Sequence, residues 1–396
     1  MTIKRIENAP LKDSRVFLRT NFEKIIHPSG IIHKDYLKSI LPTIEFCLDR
    51  GASVVIGSHA GNPQNADRFS FSQLIPAIEE ITKRTVQFIP ELSTDKIKKQ
   101  LQTSVSGDIF LLENLLKENG EAKNLDSFAK TLADSVDLYV NEAFGASMHS
   151  YASLVKLPAL LPSFTGIAFE SELEAFQSML AGKTHPLVMI LGGTGLENKI
   201  KVMKKLFQSY NHTVDEILIG GGLAFTFLKS RANQVGNSLV EQTLGVSAFQ
   251  IIEKSELMET KITLPSDHIT AEQISGDAKT KIQTMIESPW RGLDIGPKTL
   301  AQFEKSLKKA AFIFWYGPLG MVEIEKFRKG TSSIAKIVAK SKARSIIIGE
   351  DTVRTIREAG YADSMSFLGE YSGDVWMELF KGNELPAIHA LKDVDE

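Results

Sequence analysis

The chain has a single cysteine, Cys47, among its 396 residues. That excludes an internal disulfide and points to a reducing compartment. It has no apolar run approaching the roughly 18 residues of a membrane-spanning helix, and the N-terminal Met1-Thr-Ile-Lys-Arg-Ile-Glu7 shows no signal-peptide core. A cytoplasmic protein without a membrane partner is expected. Excess positive charge is missing too: 46 basic and 48 acidic residues leave a net charge of −2, with no basic tail or Lys/Arg run. This excludes the electrostatic footprint of a nucleic-acid binder. There is no internal repeat, and a monomer is the expectation.

What is present is length and a regular alternation. A chain of 396 residues exceeds the size at which one core keeps growing, so two domains of about 200 residues are the default. Short apolar or β-branched runs alternate with amphipathic segments, as a parallel sheet with crossover helices requires. The first half offers strands at Arg15–Arg19, Ser53–Gly57, Thr85–Ile89, Asp108–Leu112 and Asp137–Asn141, with helices at Tyr36–Asp49, Phe71–Thr82 and Ser127–Ala133. The second half offers strands at Leu187–Leu191, Glu216–Gly220, Phe312–Trp315 and Ser345–Gly349. Between them, Lys156–Ser163 is a Pro-punctuated connector and Glu170–Ala181 has helical spacing. The expected fold is α/β: two doubly wound parallel-sheet, Rossmann-like domains joined by a hinge helix. The boundaries are 1–169 for the N-terminal domain, 170–184 for the helix and linker, 185–380 for the C-terminal domain and 381–396 for a tail. Ligands of such sheets bind at the carboxyl ends of the strands.

The stretch Pro186-Leu-Val-Met-Ile-Leu-Gly-Gly-Thr-Gly-Leu-Glu-Asn-Lys199 reads as a buried strand turning into a helix N-terminus, where free N–H groups and the helix dipole favour a phosphate. It fits neither common glycine template. Gly193-x-Gly195-x-x-Asn198 lacks the third dinucleotide-fold glycine, and no Gly-Lys-Ser/Thr follows. Alone, Gly-Gly after a strand is equally an ordinary tight turn. Three more glycine turns follow strands in the same half: Gly220-Gly221-Gly222, Gly317-Pro318-Leu-Gly320 and Gly349-Glu-Asp-Thr352. Together they read as a nucleotide crevice.

These residues resemble phosphoglycerate kinase over essentially the whole chain. Ser58-His-Ala-Gly61, Leu111-Leu-Glu-Asn-Leu115, Asn141-Glu-Ala-Phe-Gly145, Gly220–Lys229, Gly292-Leu-Asp-Ile-Gly-Pro-Lys298, Trp315-Tyr-Gly-Pro-Leu-Gly320 and Gly382-Asn-Glu-Leu-Pro386 match or approach that family's motifs in order. The resemblance implies an N-terminal domain for 3-phosphoglycerate, a C-terminal domain for Mg²⁺ with ATP or ADP, and a final segment returning to the N-terminal domain. On the nucleotide side it implies Gly192, Gly193, Lys199, Gly220, Gly221, Gly222, Gly292, Leu293, Pro318, Glu323, Gly349, Asp351 and Thr352, with Asp351 also the metal ligand. On the substrate side the matching positions are Asn21, Glu23, Tyr36, His59, Asn62, Leu116 and His149.

Many of those positions depart from the family pattern. Asp-x-Asn becomes Asn21-Phe-Glu23; arginines become Tyr36, Asn62 and Leu116; and His-Arg-Ala-His becomes Met148-His-Ser-Tyr151. Gly195 replaces the lysine of Gly-Gly-Ala-Lys, Tyr316 an asparagine, Glu350 a glycine, and Ser372-Gly-Asp374 part of a late glycine turn. The family's catalytic positions are thus held by Tyr36, Gly195 and Asp374, with Lys34, Lys117 and His149 as the nearest substitute cations. Phosphoryl transfer needs positive charge around the moving group, and losing one preorganised donor costs about 3 kcal/mol. The reading of the sequence is a phosphoglycerate-kinase-like pseudoenzyme with possible residual Mg-nucleotide binding and a doubtful 3-phosphoglycerate site. The alternative is a working phosphoglycerate kinase with a rebuilt site, moving phosphate between 1,3-bisphosphoglycerate and ADP.

Overall fold

The computed structural model describes residues 3–23, 25, 34–61, 64, 69–182, 184–209 and 214–392. The chain divides into two compact units, Met1–Glu174 with Glu384–Glu396, and Ala175–Asn383.

In the first unit the apolar runs become strands β1 (Arg15–Arg19), β2 (Ser53–Gly57), β3 (Val86–Ile89), β4 (Ile109–Leu112), β5 (Leu138–Asn141) and β6 (Ser163–Thr165). Their order is β3-β4-β2-β1-β5-β6, and every pairing is parallel. Most positions of β1, β2, β4 and β5 are buried, which is why they read as continuous apolar runs without alternation. The strand order reverses between β1 and β5, a topological switch point. Residues near the C-terminus complete this unit: Ala387 N–H donates to the Ser147 carbonyl at 3.2 Å, and Ile3 bridges Lys392.

In the second unit, β7 (Leu187–Leu191), β8 (Glu216–Ile219) and β9 (Lys261–Thr263) run on one side. A separate antiparallel sheet follows, made of β10 (His268–Ala271), β11 (Thr280–Gln283) and β12 (Arg291–Ile295). Then β13 (Phe312–Tyr316), β14 (Arg344–Ile348) and β15 (Phe367–Gly369) complete the parallel sheet in the order β15-β14-β13-β7-β8-β9. Its switch point lies between β7 and β13. Trp315, fully buried, packs among Phe303, Ile334, Ile347 and Ile356 at the centre of this core.

The expected long strands appear within a residue or so of their sequence bounds, and both parallel sheets are present. The antiparallel sheet and the short strands β6, β9 and β15 were not anticipated. The expected helix Phe71–Thr82 is a 3-10 turn, Phe71–Leu74, followed by the helix Ile75–Thr82, because Pro76 has no N–H to continue the first ladder. The hinge segment is a helix over Ile167–Leu180, within which the division between units falls. Glu142, from the Asn-Glu-Ala-Phe-Gly motif, accepts from the Ala168 and Phe169 N–H groups at 3.1 and 3.0 Å and so satisfies the start of that helix.

Candidate functional site

At the second unit's switch point, the turns after β7 and β13 lie against one another. Gly193 N–H donates to the Pro318 carbonyl at 2.6 Å and Gly192 N–H to the Tyr316 carbonyl at 2.8 Å. A Cβ on Gly192 would sit 2.2 Å from the Pro318 oxygen, and one on Gly221 would sit 2.4 Å from the Gly193 nitrogen at a φ of +61°. Only glycine permits both that approach and that backbone. The packed turns bound a cavity of about 540 Å³, within the range of small-molecule sites.

Of the positions expected to hold a nucleotide, Gly193, Lys199, Gly221, Gly222, Gly292, Leu293, Pro318, Glu323, Gly349, Asp351 and Thr352 line this cavity. Gly192 and Gly220 do not. They lie behind the wall, where Gly220 lets the Leu319 side chain in, a Cβ there falling 2.4 Å from Leu319 Cδ2. Gly195 also stands off the wall, at φ +71° with open space where a side chain would project. Asp374 lies in the first turn of the helix Gly373–Phe380. Among the lining residues that the sequence reading missed are Phe225, Leu239, His268, Arg291 and Met321. Phe225 lay inside the recognised run after Gly220, but His268 and Arg291 belong to the unforeseen antiparallel sheet.

The cavity has a polar part and an apolar part. In the polar part, the helices Leu196–Ser209 and Glu350–Glu358 start near Gly193 and Gly349 and bring their first N–H groups to the cavity, that of Leu196 donating to Glu241 Oε1 at 2.9 Å. Lys199, 5% exposed, holds its ammonium 5.0 Å from the centre of the Tyr316 ring and donates to the Thr194 carbonyl. Burial brings its pKa down to about 8, against the opposing pull of Glu241 and Asp374. Asp351 is paired with Arg354 at 2.5 Å, and the buried Thr352 hydroxyl has no hydrogen-bond partner. A hard carboxylate oxygen beside an unpartnered hydroxyl at a helix start is a donor set that fits a Mg²⁺-bound polyphosphate. The apolar lining includes Phe225, Leu239, Ile274, Gly292 and Leu293, and His268 lies against the Phe225 ring.

In the first unit, Asn21 and Glu23 follow β1, His59 follows β2, Leu116 follows β4 and His149 follows β5, while Tyr36 lies in the helix Lys34–Asp49. Arg19 is fully buried: Nη2 donates to His59 Nδ1 at 2.9 Å, Nε donates to Ser153 Oγ at 2.6 Å, and Glu121 lies 3.4 Å away. Tyr36, in an arginine's place, is buried, and its hydroxyl accepts from Asn21 N–H at 2.9 Å. Leu116 is buried. The substitute cations are engaged elsewhere, Lys34 with Glu80 at 2.6 Å and Lys117 with Glu113 at 2.5 Å. His149 stacks on Tyr151 at 4.8 Å and approaches Glu23 at 4.0 Å. Asn62 lies outside the described residues.

Burial first, then Arg19 and His149, hold the His59 pKa well below the usual histidine range; burial likewise lowers that of His149. Ligand atoms of Glu23, His59 and His149 lie within 4.8 Å of one another, close enough to suggest a cation. The tautomer argues otherwise. A guanidinium can only donate, so His59 Nδ1 accepts and the ring proton sits on Nε2, a buried atom without a partner. That arrangement offers a donor to an oxygen rather than a lone pair to a metal.

The family model for phosphoglycerate kinase matches residues 6–383. The chain belongs to the phosphoglycerate kinase family. It is 36% identical over 400 residues to the phosphoglycerate kinase of Leptospira biflexa, covering all of both chains. It is 34% identical to that of Aquifex aeolicus, over 98% of each chain. Among solved structures, the phosphoglycerate kinase of Coxiella burnetii superimposes with a TM-score of 0.86 at 30% identity, over 98% of this chain and 99% of that one. Full-length similarity to so many phosphoglycerate kinases weighs toward the working-kinase alternative over the pseudoenzyme, which rested on the departures alone. No helix among the described residues is long and apolar enough to cross a membrane.

Proposed function

We propose that the chain is a phosphotransferase of the phosphoglycerate kinase class, a glycolytic activity carried out by a cytoplasmic monomer. It moves a phosphoryl group between ADP or ATP and the carboxyl group of 3-phosphoglycerate. The observation that carries this reading is the glycine-walled cavity, into which Lys199, Asp351 and Thr352 bring the groups a Mg-nucleotide needs. The helix N-termini and the Lys199 ammonium would hold the polyphosphate, and Asp351 and Thr352 would hold Mg²⁺, whose charge would offset that of the phosphate oxygens. In the first unit, Arg19 holds His59 Nδ1, which leaves the unpartnered Nε2 proton to donate to an oxygen of the bound acceptor.

A second reading is favoured by one set of positions. Tyr36 donates no positive charge, Gly195 leaves open space where the family has lysine, and Asp374 sets a negative charge at a helix start. Each missing donor is worth about 3 kcal/mol in transfer, and such losses do not add simply. On this reading the chain binds Mg-nucleotide but transfers poorly.

A coupled assay with Mg-ADP and 1,3-bisphosphoglycerate, run beside calorimetric titration with Mg-ADP, separates the two. Turnover establishes the first reading, and binding without turnover establishes the second. No binding overturns both. Lys199→Ala and Asp351→Ala are each expected to weaken Mg-ADP by about tenfold or more; unchanged affinity in both variants would remove the nucleotide from this cavity.

A further inference from the structure

We propose that His268 reads the base of the bound nucleotide through a hydrogen bond from its imidazole. This deepens the nucleotide-binding reading above and rests on it.

His268 opens β10, is 2% exposed and lines the apolar part of the cavity. Among the described residues, no group hydrogen-bonds either of its ring nitrogens. Its ring instead lies 5.1 Å from that of Phe225, tilted by 45°. Phe225 reaches this position because β12 carries glycine at 292, where a Cβ would fall 2.2 Å from Phe225 Cζ. Gly292 thus lets the Phe225 ring seat against His268, which is a titratable side chain set within the apolar wall. Helix N-termini, Lys199 and Asp351 claim the polar part of the cavity for phosphates, which leaves the apolar part for the base.

Burial lowers the His268 pKa to about 4, so near neutral pH the ring is uncharged, with one N–H donor and one lone pair. An adenine edge presents an amino donor beside a ring-nitrogen acceptor, and such an imidazole can pair with either. A base that covered the ring without pairing would strip it of water and gain nothing in return, whereas a paired one recovers the lost hydrogen bond. The two cases differ in sign when the imidazole is removed.

The test is calorimetric titration of the full chain with Mg-ADP and with Mg-tripolyphosphate, which has no base. The proteins are the unaltered chain, His268→Val and His268→Gln. His268→Val is expected to weaken Mg-ADP by about tenfold or more. His268→Gln, which keeps a donor and an acceptor, is expected to recover most of that loss, and tripolyphosphate should bind all three alike. If the chain turns over, the same change appears as a raised KM for ADP at unchanged kcat. Mg-ADP affinity that is unchanged or tighter in His268→Val overturns the proposal, because the imidazole is then a passive wall. An equal loss for tripolyphosphate also overturns it, by showing a structural effect. Absence of Mg-ADP binding to the unaltered chain overturns the nucleotide reading itself, and this inference with it.

Discussion

Lys199 is the residue on which the nucleotide site turns, and its burial gives it an unusual pH response. With its pKa lowered to about 8, the ammonium is charged at pH 7 and neutral by pH 9. Mg-ADP affinity is therefore expected to fall as pH rises through 8, and Lys199→Met should abolish that step in a titration series from pH 6.5 to 9.5. Tyr36 illustrates the opposite case, an arginine position turned to structure. Its hydroxyl holds the Asn21 N–H, so Tyr36→Phe should cost about 1 kcal/mol, read from a denaturant midpoint. Tyr36→Arg alone should change turnover by less than about tenfold, since Leu116 and Gly195 still lack charge. Single residues were legible in the sequence where chemistry left no choice. Gly193 and Gly221 had to be glycine for their positive φ, and both were picked out by their place after strands. His268 was not legible, because a lone histidine in a short strand carries no pattern until Phe225 and Gly292 are brought beside it.

Elements were legible in proportion to their length. β1, β2, β7 and β14 are five-residue strands, buried at most positions, and their apolar runs show it. β6, β9 and β15 have three residues each, too few to display a period, and they sit at or near sheet edges where only the partner strand defines them. The antiparallel sheet escaped for a related reason: β11 is largely exposed, so hydrophobicity does not mark it. The helix Ile167–Leu180 depends on a carboxylate far away in sequence. Glu142 accepts from two of its leading N–H groups and from Thr43 Oγ1 at 2.5 Å, and Gly166 must be glycine because a Cβ would lie 2.2 Å from Glu142 Oε2. Glu142→Ala leaves these buried donors unpaired and should destabilise the protein by about 2–3 kcal/mol in thermal or urea unfolding.

For the whole molecule, two buried carboxyls set a pH trend. Burial pushes Glu142 and Asp294 each up to about 7, above the ordinary carboxyl range. Well below pH 4, folded and unfolded chains both keep these protons. Between there and pH 7 the unfolded chain releases protons that the folded chain retains, so their contribution to stability declines as pH rises and levels off above 7. Melting temperature followed from pH 5 to 8 should show this decline, and Glu142→Gln with Asp294→Asn should flatten it.

The last residues matter at the same scale. Leu385, Ala387, Ile388 and Leu391 are buried, with Ala387 packed among Ala143, Ala146 and Leu154. A chain ending at Asn383 should lose about 5 °C or more in melting temperature. That closing segment also fixes a sequence of events during synthesis. The unit begun first at the ribosome is finished last, because residues 384–392 emerge only after the contiguous stretch Ala175–Asn383 is complete. The nascent N-terminal sheet must wait with its Ala143–Ala146–Leu154 surface uncovered while more than half of the protein is still being made, so a stalled or prematurely terminated chain exposes that surface first.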